Sequence, residues 1–183
     1  DPMLKLIADR EAGSGGYESM YPSTTLPGAT QMTISEVAQK ATGAVGMFQQ
    51  LPQYLEGRSR AIGLDPTTEL YNEKNQNLLA EYLIGPGQAN VTMSMAKNDP
   101  KEAMLRLSRV WAAIPKDDGG KSYYASDGVN KAHITPQEMY DVFETLQTGG
   151  LVGKQSGGMI PTMLEPGEAV GTAAMWNEAI PRF

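Results

Sequence analysis

Three short stretches carry the residue pattern that begins an α-helix, and they constrain the fold class of this chain more than any other feature. Residues 33–36 read Thr-Ile-Ser-Glu, the capping box in which a threonine and a glutamate satisfy the first backbone N–H groups of a helix. Residues 99–102 read Asp-Pro-Lys-Glu, with an acidic cap before a proline at the first helical position. Residues 135–138, Thr-Pro-Gln-Glu, repeat this start. We therefore predict an α+β fold that is mainly α.

The pattern of apolar residues and breaks divides the chain into helices and one irregular lobe. Residues 13–32 are rich in Gly, Ser, Thr, Pro and Tyr, which predicts irregular structure or a short β-hairpin. In the helix after Asp99, Leu107 and Trp111 fall on the same face, so Trp111 is predicted to be a core residue. The predicted helices are residues 3–12, 33–40, 47–55 with an interruption near Pro52, 70–83, 99–114 and 135–148.

Glu11 is a carboxylate at an apolar position of the first predicted helix. Leu4, Ile7, Ala8 and Glu11 are spaced i, i+3, i+4 and i+7, which places them on one helix face, and the glycine-rich residues 12–16 are expected to end the helix. The negative end of the helix dipole and partial burial both raise the pKa of a carboxyl group. Such a group can serve as a general acid. The alternative is a partly exposed glutamate that only contributes to solubility.

The composition excludes several classes of function. The chain has 183 residues, no cysteine and one histidine, so disulfides, thiolate metal sites and multi-histidine metal clusters are excluded. Its net charge of −6 argues against a nucleic-acid partner. No apolar run is long enough for a membrane span, and no secretion signal is present at the start. Because the chain begins with Asp1 rather than methionine, we predict that it is a piece of a longer protein.

Two further motifs follow Glu11 in the chain. Residues 41–51 read ATGAVGMFQQL, residues 107–115 read LSRVWAAIP, and the elements SYY and NKA occur at 122–124 and 130–132. Their order and spacing resemble bacteriophage endolysins and virion lysozymes of the lambda type. In that family a glutamate ends the first helix, Thr-Gly-Ala-Gly-Arg-Tyr-Gln opens a core helix and Trp-Ala-Ser-Leu-Pro closes a later one. The resemblance covers residues 3–147 and implies a lysozyme-like fold.

The resemblance implies cleavage of peptidoglycan. Glu11 would protonate the glycosidic oxygen between N-acetylmuramic acid and N-acetylglucosamine, with no metal and no organic cofactor. A two-carboxylate hydrolase needs a second acid about 5–9.5 Å away, for which Glu18, Glu36 and Asp127 are candidates, each equally consistent with an ordinary surface acid. A lytic transglycosylase needs only one acid, and this mechanism is the prediction, although hydrolysis stays open.

Five residues are predicted to bind the glycan strand. Gln49, in the position of the family glutamine, could donate to and accept from sugar amides, or could bond the local backbone. Phe48 stands in place of the family tyrosine. Tyr123 and Tyr124 could stack on a sugar ring or pack as ordinary amphipathic rings, and Tyr17 is a weaker candidate of the same kind. His133 is interpreted as structural.

The last residues differ in composition from the rest. We predict a lysozyme-like catalytic domain over residues 1–148 and a glycine-rich linker and docking tail over residues 149–183. Residues 157–168, GGMIPTMLEPGE, resemble an element of phage tail tape-measure and other virion proteins. This favours an enzyme carried in the phage virion, docked through the tail to other tail or internal proteins. The alternatives are a catalytically inactive structural tail protein with the same fold and a free endolysin or muramidase.

Overall fold

Helices with satisfied ends dominate the part of the chain that the structure, a computed structural model, describes: residues 1–12, 14–128 and 130–148. One antiparallel pair of short strands, β1 (Ser19–Met20) and β2 (Thr24–Thr25), accompanies them. The helices are α1 (Pro2–Glu11), α2 (Ile34–Lys40), α3 (Pro52–Ala61), α4 (Glu73–Ile84), α5 (Met93–Asn98), α6 (Pro100–Ser108) and α7 (Pro136–Thr148). The predicted α+β class, mainly α, is confirmed for the described residues, and the predicted tail, 149–183, lies outside them.

The predicted helix starts are confirmed atom by atom. The Thr33 hydroxyl accepts from the Glu36 N–H, and the Glu36 carboxylate accepts from the Thr33 N–H, so α2 begins with a complete capping box. Thr135 and Glu138 form the same reciprocal pair at α7. Asp99 caps α6 by accepting from the N–H of Glu102. Local side-chain chemistry therefore sets where these helices begin.

Other helix boundaries differ from the prediction. The helix predicted over 47–55 is wrong in its first half, because residues 46–49 form a turn closed by an antiparallel bridge between Val45 and Gln50, and α3 begins only at Pro52. Helix α6 ends at Ser108, so Trp111 lies in the turn that follows. The short helix α5 was not predicted.

The hairpin predicted within 13–32 is present and has a third neighbour. Ser19 pairs with Thr25 and Met20 with Thr24. On the other edge of β1, the Tyr21 N–H donates to the Ala44 carbonyl and the Gly46 N–H donates to the Ser19 carbonyl, both at 2.8 Å. These two bonds hold the hairpin against the glycine-rich residues 43–46, which lead into the turn at 46–49.

Two clusters of buried apolar side chains form the core, and α4 contributes to both. One cluster joins α1, α6 and α7 with Ala80 and Leu83 of α4. The other joins α2 and α3 with Leu79 of α4 and with Tyr71. No helix of the described residues has the length and apolar character needed to cross a membrane.

Candidate functional site

Glu11 is the last residue of α1, on the same face as the buried residues Leu4 and Ile7. The helix stops at an extended Ala12 rather than at a left-handed glycine. Burial raises the pKa of the Glu11 carboxyl group, and a hydrogen bond donated by the Ala113 N–H to Oε1, at 3.0 Å, lowers it by a smaller amount. The net shift is upward, in the direction predicted, so this carboxyl group is suited to donate a proton closer to neutral pH.

The donor to Glu11 is held rigidly in place. Ala113 is 3% exposed, and its carbonyl accepts from the N–H groups of His133 and Ile134, both at 2.9 Å. The backbone N–H of His133 therefore helps to fix this carbonyl, and the interpretation of its side chain as structural stays a prediction. Hydrogen bonds thus hold both backbone polar groups of Ala113, the N–H by Glu11 and the carbonyl by His133 and Ile134.

A hydrogen bond between Trp111 and Phe48 connects the segments 107–115 and 41–51. The Trp111 indole Nε1–H donates to the Phe48 carbonyl at 3.1 Å in the protein interior. Together with the bond from Ala113 to Glu11, this links the three sequence segments on which the resemblance depends. The side chain of Phe48 is 2% exposed, so its ring lies in the core and offers a ligand no surface. Trp111, 3% exposed, is a core residue as predicted.

Gln49 lies in the turn at 46–49 and not on a helix. Its backbone has a left-handed φ of 47°, and its side-chain Nε2 donates to the Gly46 carbonyl at 2.9 Å. The local backbone bond that was one of its two predicted roles is therefore formed. The side chain remains only partly buried.

Gln76 is a buried polar residue that was not predicted. Its side chain is fully buried, its Oε1 accepts from the Met47 N–H, and its Nε2 donates to the carbonyls of Tyr17 and Tyr71. Gln76 thus connects the turn at 46–49 to the backbone of Tyr17. Gln76 shares an apolar helix face with Leu79. A polar residue at a core position is the signal that identified Glu11, and the same signal could have identified Gln76.

The predicted aromatic residues fall into two places. Tyr17 is partly buried near the turn at 46–49, and its hydroxyl donates to Asn77 at 3.4 Å. Tyr123 and Tyr124 are 44% and 38% exposed, with ring centroids 5.3 Å apart in an edge-to-face arrangement. They follow Ser122, which forms a backbone bridge with Pro115. The pair therefore lies next in the fold to the segment that contains Ala113.

Arg109 supports this tyrosine pair. Its guanidinium lies over the Tyr123 ring, 5.5 Å from the centroid, and its carbonyl accepts from the Tyr124 hydroxyl at 2.6 Å. Burial raises the pKa of Tyr124. Both rings are thus oriented before any ligand binds, which reduces the entropy cost of stacking a ligand on them.

Two of the candidate second carboxylates are engaged in local structure. Glu18 accepts from the Thr30 hydroxyl at 3.1 Å, and Glu36 belongs to the capping box of α2, whose bonds lower its pKa. The side chain of Asp127 lies outside the described residues. Within the part of the chain that is described, no cluster of three or more potential ligand residues is placed to hold a metal ion.

A shallow surface pocket of about 460 Å³ lies elsewhere. It is open to solvent and contains none of the residues predicted to act on a ligand, so we do not assign the chemistry to it. Its lining residues are Asp99, Lys101, Glu102, Leu105 and residues 116–119.

Comparisons of this chain with protein-family models, with curated proteins and with solved structures gave no match.

Proposed function

We propose that this chain is a peptidoglycan lytic transglycosylase of lysozyme-like fold, which cleaves the β-1,4 bond between N-acetylmuramic acid and N-acetylglucosamine. The observation that carries the proposal is Glu11. It is a partly buried carboxyl group with a raised pKa, bonded to Ala113, at the place where three separate sequence motifs meet. The hydrogen bond to Ala113 alone does not require an ionisable group, since an amide oxygen could accept it equally well, so the acid itself is the feature that supports catalysis.

The proposed reaction uses Glu11 twice. Its protonated carboxyl group donates a proton to the glycosidic oxygen as the bond from C1 of the muramic acid breaks, and the N-acetylglucosamine leaves with a free 4-hydroxyl. The 6-hydroxyl of the same muramic acid then attacks C1, and the Glu11 carboxylate accepts its proton. The product is a 1,6-anhydro sugar, no water is consumed, and Glu11 is again protonated.

The surroundings of Glu11 support both of its protonation states. Burial favours the neutral acid before the first proton transfer, and the Ala113 N–H stabilises the carboxylate that exists after it. A group that must give up a proton and take one back works best when neither form is strongly favoured. At Glu11 burial raises the pKa and the Ala113 bond opposes part of that rise, which is the direction that such a group needs.

A single-acid mechanism is also the simpler one for this site. Glu18 and Glu36 accept hydrogen bonds from Thr30 and Thr33, which accounts for both side chains by local structure without a catalytic role. Hydrolysis by a second carboxylate is the alternative outcome of the experiment below.

The proposed substrate contacts are polar and aromatic side chains. Gln49 lies in the turn at 46–49, which Gln76 connects to the Tyr17 carbonyl, and Tyr123 and Tyr124 are exposed aromatic rings available to a sugar. Aromatic side chains give a neutral glycan contact area that does not depend on charge. The acidic net charge of −6 makes such shaped, uncharged contacts the expected means of binding an anionic wall polymer.

The place of action is proposed from residues 157–168 alone. Their resemblance to virion proteins supports an enzyme carried in the phage tail or an internal assembly, acting on the bacterial cell wall, with residues 149–183 as the docking segment. Co-purification of the chain with intact particles supports this location. Its presence only in the soluble lysate would instead indicate a free endolysin.

Mass spectrometry of fragments released from purified peptidoglycan tests the activity. We expect fragments with anhydromuramic ends, each lighter by one water than the product of hydrolysis. Reducing muramic ends would replace the transglycosylase by a hydrolase. Release of no fragments by folded protein would reject the enzyme and leave the structural tail protein.

A further inference from the structure

The helix end that carries Glu11 is fastened to α7 by an ion pair. The Arg10 guanidinium, directly before Glu11, contacts the Glu138 carboxylate with Nη2 to Oε1 at 2.7 Å. The two side chains are 39% and 35% exposed, so this pair lies at the protein surface. It joins residues that are 128 positions apart in the chain.

Glu138 is itself fixed by the start of α7. Its Oε2 accepts from the N–H and the hydroxyl of Thr135, at 2.7 and 2.9 Å, and these bonds with the charge of Arg10 lower the pKa of Glu138. The carboxylate therefore stays ionised and has little rotational freedom. Arg10 meets an acceptor that is already oriented, which reduces the entropy cost of the ion pair.

These contacts close a ring around Glu11. From Glu138 the chain runs back through Thr135 to Ile134, whose N–H donates to the carbonyl of Ala113, and the N–H of Ala113 donates to Glu11. Arg10 then completes the ring through its bond to Glu138. One continuous path of hydrogen bonds and covalent chain thus connects the Glu11 carboxyl group with its donor, the Ala113 N–H.

We propose that Arg10 and Glu138 are positioning residues for the Glu11 carboxyl group, holding it against the Ala113 N–H and out of water. This inference rests on the proposed function for its catalytic consequence, although the geometry that it concerns is a property of the fold. Misplacing a reacting group by about 1 Å can cost as much as a hundredfold in rate. An ion pair at the adjacent residue is well placed to prevent such a displacement.

The charged and titratable residues in these contacts come from α1, from α7 and from the segment before α7. Arg10 lies on α1 with Glu11, Glu138 lies on α7, and His133 precedes α7 with its backbone bonded to Ala113. Loss of the Arg10 contact is expected to loosen the helix end and admit water to Glu11. Because burial is the larger influence on its pKa, the pKa of Glu11 should then fall toward its ordinary value of 4.5.

Arg10→Met in the full chain tests this, with Lys5→Met as the matched control. Lys5 pairs with Asp9 at 2.6 Å on the same helix, but this pair is more exposed and reaches no other element. We expect Arg10→Met to lower kcat on soluble glycan fragments by on the order of tenfold, with KM unchanged, and to move the alkaline limb of the pH profile to lower pH. Lys5→Met should leave both as in the wild type, and Arg10→Lys should recover most of the loss.

A titration without substrate separates this inference from the proposed function. The Glu11 carboxyl carbon, labelled with ¹³C and assigned by its absence in Glu11→Gln, should titrate at a lower pH in Arg10→Met than in Lys5→Met. An unchanged Glu11 titration in folded Arg10→Met overturns the positioning role. If the wild type releases no glycan fragments, the proposed function fails, yet this titration still decides the role of Arg10.

Glu138→Gln provides a second variant in case Arg10→Met does not fold. Its amide oxygen can still accept from Thr135, so the start of α7 is preserved while the charge opposite Arg10 is removed. The same lowered titration of Glu11 is expected, and a wild-type titration would count against the proposal.

Discussion

Burial and the Ala113 hydrogen bond act in opposite directions on the pKa of Glu11, and replacing Glu11 should affect activity and stability in different ways. Glu11→Gln keeps the shape and the acceptor for the Ala113 N–H but removes the acid, so we expect activity to fall by about 10²–10⁴-fold. Glu18→Gln is the matched comparison, because the Glu18 side chain bonds Thr30 and has no part in the single-acid mechanism, so activity within a few-fold of the wild type is expected and a large loss would favour the two-carboxylate hydrolase. Fragment release from peptidoglycan measures both. Near-normal activity of Glu11→Gln would remove Glu11 from the mechanism.

The same substitution should change how stability depends on pH. The pKa of Glu11 is raised above 4.5 in the folded chain, so between the two pKa values the folded state binds more protons than the unfolded state. Stability from this group is therefore present below the unfolded pKa and is lost as pH rises through the folded pKa. Relative to the wild type, Glu11→Gln should become more stable at pH 8 than at pH 4. Denaturant unfolding at both pH values measures this, and a pH-independent difference would contradict the raised pKa.

Residue chemistry also explains which part of the site could be predicted. Glu11 was found because a carboxylate on an apolar helix face is visible within eight residues of sequence. Its partner Ala113 could not be found, since the contact is a backbone N–H 102 positions away, and a backbone group has no sequence signature. Two roles were predicted for Gln49 with equal weight, a sugar contact and a bond to the local backbone. The bond to the local backbone forms in a turn where the φ of Gln49 is 47°, a conformation that the sequence did not predict.

At the scale of elements, Gly46 holds the turn at 46–49 against α4. Its φ is +82°, and a Cβ at this position would lie 2.3 Å from Gln76 Oε1 and 2.6 Å from the Tyr71 hydroxyl. Gly46→Ala should therefore cost about 2–5 kcal/mol of folding free energy through backbone strain and overpacking. Equilibrium urea unfolding measures the cost.

Gly57→Ala is the matched control for that substitution. Gly57 lies within α3, and a Cβ there would meet nothing within 4 Å. Alanine at an exposed helix position restricts the unfolded chain and favours the helix, so Gly57→Ala should stabilise the protein by about 0.4–1 kcal/mol. Equal effects of the two substitutions would show that close packing at Gly46 is unimportant.

Elements whose ends depend on local caps were predictable, and those shaped by distant contacts were not. The starts of α2, α6 and α7 follow from residues within one helical turn. The turn at 46–49 depends instead on Gln76 and on the hairpin, both outside any local window, so periodicity alone extended a helix through it. The predicted helices other than the first half of 47–55 are therefore present, whereas the end of α6 and the short helix α5 were not predicted.

At the scale of the molecule, α4 should make the two core clusters unfold together. Leu55 is fully buried in the cluster around α2 and α3, whereas Trp111 is in the other cluster. Leu55→Ala should cost about 2–5 kcal/mol, and the loss should be reported equally by Trp111 fluorescence and by circular dichroism. A Trp176→Phe background restricts the fluorescence to Trp111, since the chain has two tryptophans.

Leu51→Ala is the control for that experiment. Leu51 is 45% exposed at the start of α3, and truncation there should change stability by no more than about 0.5 kcal/mol. If Leu55→Ala shifts the circular dichroism midpoint and leaves the Trp111 midpoint in place, the two clusters are separate folding units.

The bonds that Ala113 donates to Glu11 and Arg10 donates to Glu138 span 102 and 128 positions, and this has a consequence for synthesis on the ribosome. The amino end of the chain emerges first, but the partners of Arg10 and Glu11 emerge only when most of the domain has been translated. In a nascent chain these two contacts can form only after residues 113 and 138 have left the exit tunnel. A fragment released before that point lacks both partners, so we expect it not to hold the proposed acid in its folded position.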